Sequence, residues 1–515
     1  MVLRLASIAI RFADIARFGT SARQQTNGLF RCRIFASVIS LGYSRARSAA
    51  RLIAFVLTVC SANAKEEVPT TPPPAFRLVR FDESYAYLGA ETSPQNFWEH
   101  LKYIRINGLS DNATYCSLGG EVRFQYIEKW DDQFGRVPGA QGSLQQRYLL
   151  HADLVWSPYF RFFSQLIAAW EHGRKPAALP TDENHFDAQQ LFAEVAFDPT
   201  APKNNYIRVG RQEILLGGHQ LLKVREGPNV RLAFDGARAH LAYGKFDTDF
   251  FAANVVQPKQ GAFDDSWTDD GVRFAGVNLG WQPVATGFSN LRTDFFIFDY
   301  YNRFIRYEQA SGTEHRQTYG LRASGRSGPW EFDYEASIQS GTLASYDIHA
   351  WGTALFTAYH WDALPPKPKL TLGLSSVTGD RNRNDHEINT FNCLFARGDY
   401  FGDTSLLTGS NTLDLSLLAE CTPLARLHVS FQWDRLWRSE TTDGLYAPPI
   451  IYIRSGQVSE SRDIGNQFTL TMACSVNRFV SVQLIGADFV AGEFIKAGPT
   501  KKGTEGLTFR TQFKF

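Results

Sequence analysis

The side chains of this 515-residue chain best suited to chemistry are arginines and carboxylates at alternate positions. Glu121, Arg123 and Gln125 alternate with Val122, Phe124 and Tyr126; Arg147, His151 and Asp153 oppose Tyr148, Leu150, Ala152 and Leu154; Glu331, Asp333 and Glu335 oppose Trp330, Phe332 and Tyr334. A period of two puts each polar set on one face of an extended strand. The guanidinium is a planar fork of donors that grips carboxylates bidentately, so such a face suits anionic solutes. The basic set is Arg123, Arg147, Arg161, Arg208, Arg238, Arg322 and Arg510; the acidic set is Glu121, Asp153, Glu194, Glu331, Asp333 and Glu335. On opposing walls of a lumen they would set up a transverse field. The competing reading is that they neutralise one another, because interior charges have to be paired.

Catalytic patterns are missing. No nucleophile elbow, zinc-protease helix, phosphate loop or dinucleotide fingerprint occurs, and His386-Glu387 lacks a second histidine at helical spacing. Asp264-Asp265 and Asp269-Asp270 have no histidine nearby in sequence and read as polar loop. Asp380, Asn382, Asn384, Asp385 and Glu387 offer oxygens of the kind Ca²⁺ takes, but without the glycine and spacing of an EF-hand they read as a solvated loop. Cys116, Cys393, Cys421 and Cys474 are too scattered for a metal set or a dense disulfide framework. No cofactor and no metal are expected.

What must position the charged faces is a long series of strands. Composition allows this: 40 Phe, 20 Tyr and 11 Trp accompany 53 basic and 52 acidic residues. That balance excludes a nucleic-acid binder driven by bulk charge and a disordered chain. No run of 18 apolar residues follows residue 65, so helical spans are excluded, whereas strands need only about ten alternating residues each. Alternating segments begin near 118, 145, 159, 187, 205, 231, 246, 272, 291, 314, 329, 346, 368, 410, 424, 463, 477 and 504, with the eighth, ninth and twelfth alternating poorly. They are longer than the five or six residues usual in soluble sandwiches. The expectation is an all-β protein, a large antiparallel transmembrane β-barrel of about 18 strands of outer-membrane type. Long polar connections are expected at 129–144, 172–186, 257–271, 380–409 and 439–462, with tight turns at the other end.

The two ends of the chain agree with export. Arg45, Arg47 and Arg51 precede the apolar run Leu52–Val59, and Ser61-Ala62-Asn63-Ala64 offers an A-x-A site, the order of a secretory signal. Its length suits a translation start nearer residue 40, where no methionine lies. Residues 1–64 are therefore expected to be removed after Ala64, 65–117 to form a periplasmic lead-in, and 118–515 to form the barrel. The last strand alternates Leu507, Phe509, Phe513 and Phe515 with Thr508, Arg510, Gln512 and Lys514. Its terminal aromatic resembles the signal read by the barrel-assembly machinery. Outer-membrane lipid is the expected partner and the bacterial outer membrane the expected location, with no nucleic acid involved.

Residues 205–240 read differently. Tyr206-Ile-Arg-Val-Gly-Arg-Gln-Glu213 leads through Gly217-Gly218 into Arg225-Glu-Gly-Pro-Asn-Val-Arg231 and Asp235-Gly-Ala-Arg238, too charged for a plain turn. These motifs, with Arg147-Tyr-Leu-Leu-His-Ala-Asp-Leu154 upstream and Thr378-Gly-Asp-Arg-Asn382 and Gly398-Asp-Tyr-Phe-Gly-Asp403 downstream, resemble the alginate-export family of outer-membrane proteins. The resemblance covers roughly 118–515. It implies an 18-stranded monomeric barrel whose arginines form an anion-selective path for a polyuronate, gated by loops and a periplasmic turn. It singles out Arg147, Arg208, Arg211, Arg225, Arg231 and Arg238 with Glu213, Glu226 and Asp235. Together with Arg123, Arg161, Arg322 and Glu194 from the strand pattern, these are the candidate substrate-binding residues. Three functions follow: a passive channel for an anionic polysaccharide or oligosaccharide, a general or small-acid-selective porin, and an outer-membrane enzyme. The mixed interior charge motivates the second; a lumen or rim histidine beside a serine or aspartate would motivate the third.

Overall fold

The computed structural model describes residues 76–89, 97–106, 114–175, 177–216, 220–266, 271–396 and 406–515, with Ile53, Ala54, Val56, Leu57 and Thr58. The cleavage site at Ala64, Gly217-Gly218, Asp269-Asp270 and the 398–403 motif lie outside the described residues.

Eighteen strands form the wall: β1 (Tyr115–Asp131), β2 (Val137–Val155), β3 (Phe160–His172), β4 (Asn184–Ala196), β5 (Asn205–Gln212), β6 (Phe234–Tyr243), β7 (Phe246–Val255), β8 (Val272–Trp281) and β9 (Ser289–Arg306), then β10 (Ser311–Ser327), β11 (Trp330–Leu343), β12 (Tyr346–His360), β13 (Lys369–Val377), β14 (Thr412–Leu424), β15 (Leu427–Arg438), β16 (Asp463–Ser475), β17 (Val480–Ala491) and β18 (Thr504–Lys514). Each pairs antiparallel with its neighbour. β18 closes on β1 in a ten-residue register from Glu121↔Lys514 to Trp130↔Glu505. Closure satisfies every strand edge internally, which lipid requires. No helix among the described residues is long and apolar enough to cross a membrane.

Alternation sets the two faces. Phe124, Tyr126, Leu150, Phe162, Leu191, Ile207, Val209, Phe295 and Ile297 stand exposed on the outside, whereas Glu121, Arg123, Arg147, Phe163, Phe192 and Arg208 are buried inside. Connections at one end are short, such as Trp156–Tyr159, 244–245 and 425–426; at the other they include 213–233, 256–271, 378–411 and 439–462. Short turns mark the periplasmic end. Aromatics gather there, with Phe246 stacked on Trp281 and Trp330 edge-on to Tyr359, as expected at a lipid headgroup boundary.

Two expectations change. The polar stretch 129–144 is not a loop: β1 runs to Asp131, a five-residue turn (132–136) follows, and β2 starts at Val137. Val137–Gly142 at the start of β2 are half-buried or exposed at every position, so burial does not alternate there. The lumen is also not polar throughout. Phe234, Phe251, Phe274, Phe296, Phe298 and Tyr300 of β6–β9 bury their rings inside, against Ile214, Leu216, Leu221 and Leu222 of one extracellular loop and Phe391, Leu394 and Phe395 of another. Ile348 and Ala350 of β12 likewise face inward-folded chain. Strands β8, β9 and β12 alternate poorly because both of their faces are apolar: lipid covers one and folded-in loops cover the other.

Candidate functional site

Loop 213–233 leaves β5 on the extracellular side and turns into the barrel, where arginines of the wall hold it. Arg123 donates to the Glu226 carbonyl at 2.7 Å, the Pro228 carbonyl at 2.9 Å and Asn229 Oδ1 at 3.1 Å. Arg147 bridges Glu121 and Glu226. Arg231, on the loop itself, bonds Glu226 Oε2 at 2.5 Å and lies 3.5 Å from Glu121 and 3.8 Å from Glu213. Burial would raise the Glu226 pKa, but Arg147, Arg231 and Arg123 outweigh it and hold the carboxyl well below its usual range. For Glu213 burial wins over Arg231, and its pKa rises to about 7.

The other candidates form separate groups. Arg161 grips Asp153 at 2.7 Å and approaches Glu194 at 3.7 Å, and Arg208 pairs with Glu194 at 2.6 Å. Arg211 binds Asp235 through two bonds of 2.8 and 2.9 Å and lies 3.3 Å from Asp187. Arg238 meets Asp249 at 2.7 Å, and Arg322 pairs with Asp333 at 2.7 Å and Asp294 at 3.3 Å. Pairing is thus neighbour to neighbour, and the expected separation into basic and acidic walls is not found. Taking two charges out of water is costly unless each meets the other, so adjacent strands supply the partner locally.

Arg225 differs from these. It lies on the loop and has no ion pair among the described residues, and its Nε is buried without a hydrogen-bond partner. Burial lowers its pKa, although a guanidinium stays charged. With Arg303 and Arg306 of β9 and Tyr452 it lines a cavity of about 890 Å³ on the extracellular side of the loop. The Arg306 guanidinium lies 4.7 Å from the Tyr452 ring centre, a cation–π distance. The sequence pattern missed Arg303 and Arg306 because a register shift between Asn302 and Ile305 breaks alternation there. A second shift between Ser289 and Arg292 leaves β9 irregular towards both ends, and neither shift is readable from alternation alone.

Other chemistry finds no support. Asp187, Asp264 and Asp265 bring oxygens within 4.8 Å of one another, but Arg211 and backbone N–H groups of Ala188, Gly261 and Lys259 already occupy them. His240 and His315 each lie 3.0 Å from an aspartate, Asp249 and Asp299, which is the neighbour the enzyme reading asked for. Arg238 shares Asp249, and neither histidine bonds a serine among the described residues, so no nucleophile is positioned beside either. In the 380–387 run, Asp380 and Asn382 accept from the backbone two residues on, closing local turns.

Asp380 supplies a pH test. It is fully buried beside Asp443, and burial raises its pKa from 3.8 to about 7. Between those values the folded protein keeps a proton that the unfolded chain has lost, so this contribution to stability is present at low pH and is lost as pH rises through about 7. The barrel is expected to melt at a lower temperature at pH 8 than at pH 5, read from heat-modifiable gel mobility. Asp380→Asn should narrow that gap; an unchanged gap would place the titration elsewhere.

The alginate export family matches residues 114–508. The chain belongs to that family. Among solved structures, a BenF-like porin from Pseudomonas fluorescens Pf-5 matches with a TM-score of 0.52 at 9% identity, over 78% of this chain and 98% of the porin. OpdO from Pseudomonas aeruginosa gives 0.52 at 10% identity, over 78% and 97%. OccK2 (OpdF) of the same organism, solved in complex with glucuronate, gives 0.50 at 9% identity, over 78% and 96%. No curated protein matches in sequence. At these identities the structural likeness shows the fold: this family member is an outer-membrane β-barrel. Family and fold together make it a transport channel of the bacterial outer membrane.

Proposed function

We propose that this barrel passes an anionic polysaccharide or oligosaccharide of the polyuronate type, with the cavity beside Arg225 as the first cation-lined station on its extracellular side. The observation that carries the reading is the cavity itself, about 890 Å³ and lined by Arg225, Arg303 and Arg306. Guanidinium groups without a carboxylate partner are free to bind the carboxylates of a uronate. Glucuronate, held in the OccK2 crystal, is a sugar acid of this class. A single barrel would serve as the whole pore, with Phe515 presented to the assembly machinery.

The small-acid porin stays as a second reading because the lumen is partly filled. A cavity of this volume holds one or two sugar acids more readily than a long chain. Reversal potentials of the refolded protein in planar bilayers, in a salt gradient, separate these readings when long and short uronates are compared. Anion preference and block by oligomannuronate are expected, with block weakened about tenfold by Arg225→Ala, the loss of about 1.4 kcal/mol. Cation preference, or conductance indifferent to the oligomer, would sink the polyuronate reading.

A further inference from the structure

Residues 76–89 precede the barrel in sequence yet lie within it. Val79 and Phe81 are 2% and 3% exposed and pack with Phe163 of β3, Phe192 of β4 and Val224 of the inward loop. The Phe81 ring stands edge-on to Phe163 and Phe192 at 6.1 and 5.5 Å, and Arg208 lies 4.1 Å from its centre. Cations of the wall, of the inward loop and of the β4–β5 turn hold the backbone of the segment. Arg231 donates to the Leu78 carbonyl at 3.2 Å, Arg161 to that of Phe81 at 2.5 Å, and Lys203 to those of Asp82 and Glu83 at 2.8 and 2.9 Å. Arg80 spans the closing seam, donating to the carbonyls of Gly120 at 3.0 Å and Phe515 at 2.8 Å. Glu83 latches the fold of the segment by accepting from Arg77 N, Arg80 Nε and Tyr85 OH.

Two features make this a removable part. Among its described residues the segment adds no strand to the barrel ladder, so it can leave without opening a sheet edge. Its grip on the barrel consists of carbonyl bonds, the Val79 and Phe81 contacts, and the Phe76 ring, which lies 5.9 Å from Phe479 and 5.2 Å from the Arg478 guanidinium. It also meets the inward loop, through Val224 and Arg231, so the two together fill the lumen beside β3–β5 from both ends.

We propose that residues 76–89 are a tethered gate: they occupy the cationic groove formed by Arg161, Lys203, Arg208 and Arg231, and passage on this side of the lumen requires their withdrawal toward the periplasm. The gate goes beyond the reading of cargo, because it concerns when the pore is open and not what crosses it. While seated it screens Arg208 and Arg231 from the periplasm; once withdrawn, it leaves their outer edges to solute.

The test uses full-length refolded protein in planar bilayers in potassium chloride alone. Arg80→Ala combined with Phe81→Ala is expected to raise the open fraction about tenfold, which corresponds to about 1.4 kcal/mol. A second variant, Phe81→Cys with Phe192→Cys, is expected to conduct when reduced and to fall to the native level or below when oxidised. Heat-modifiable mobility confirms that each variant is folded. A folded double alanine variant that conducts like the native protein overturns the gate, as does a cysteine pair whose conductance ignores oxidation. Because no sugar is present, a pore that opens on release but prefers cations would sink the polyuronate reading and leave the gate standing. Anion selectivity with conductance blind to both variants would do the reverse.

Discussion

Arg231→Ala is expected to lower the stability of the barrel by about 3 kcal/mol, because it strips one cation from Glu226 and Glu121, which keep Arg147, and takes from Glu213 the cation beside it. Arg231 is 2% exposed and faces Glu226, Glu121 and Glu213, and it also donates to the Leu78 carbonyl. Its loss therefore unties the extracellular loop and the N-terminal segment together. Heat-modifiable mobility should report the lower melting temperature, and bilayer recordings should show larger, noisier currents. Arg231→Lys should fall between, since an ammonium keeps the charge and loses the planar fork. An unchanged melting temperature in the alanine variant would mean that the network is hydrated and contributes little.

Phe274→Ala is the second large effect, with an expected cost of about 3–5 kcal/mol for a buried ring removed from a packed site. Phe274 is 1% exposed, with ring centres of Phe395, Phe251, Phe298 and Phe234 at 4.8, 5.0, 5.3 and 6.2 Å. Phe395 also bonds the backbone of Leu221 and Lys223, so it ties the two inward loops to each other. Removing its main aromatic neighbour should expose the chain after Lys223 to trypsin from the extracellular side. Phe295→Ala, on the lipid face of the adjacent strand and 51% exposed, should leave that cleavage unchanged. Equal protection in both variants would show that the ring cluster does not hold the loops.

Much of the barrel was legible because its cause is local. Inside–outside alternation is imposed on every strand by the pleat, so the starts read at 205, 246, 272, 346, 463 and 504 coincide with those of β5, β7, β8, β12, β16 and β18. The same logic failed at 129–144, where burial stops alternating at the start of β2, and blurred at β8, β9 and β12, where loops replace water inside. Arg123, Arg147, Arg208, Arg238 and Arg322 are buried while the apolar side chains next to them on the strands are half-buried or exposed, but their role was not readable. Alternation says which way a side chain points and nothing about what it meets.

By itself, then, the sequence determined the strand set and which face of each strand is polar, because both follow from a period of two, and the length and number of those strands with the aromatic last strand pointed to the outer membrane. The tertiary structure alone decided how that charge is spent. Arg147 and Glu226 lie 79 residues apart, and Arg231 and Leu78 153 apart. Which loop folds inward depends on ring packing and charge pairing across the closed wall. Those partners meet only when the loop folds back between strands far apart in sequence, and no local pattern records them.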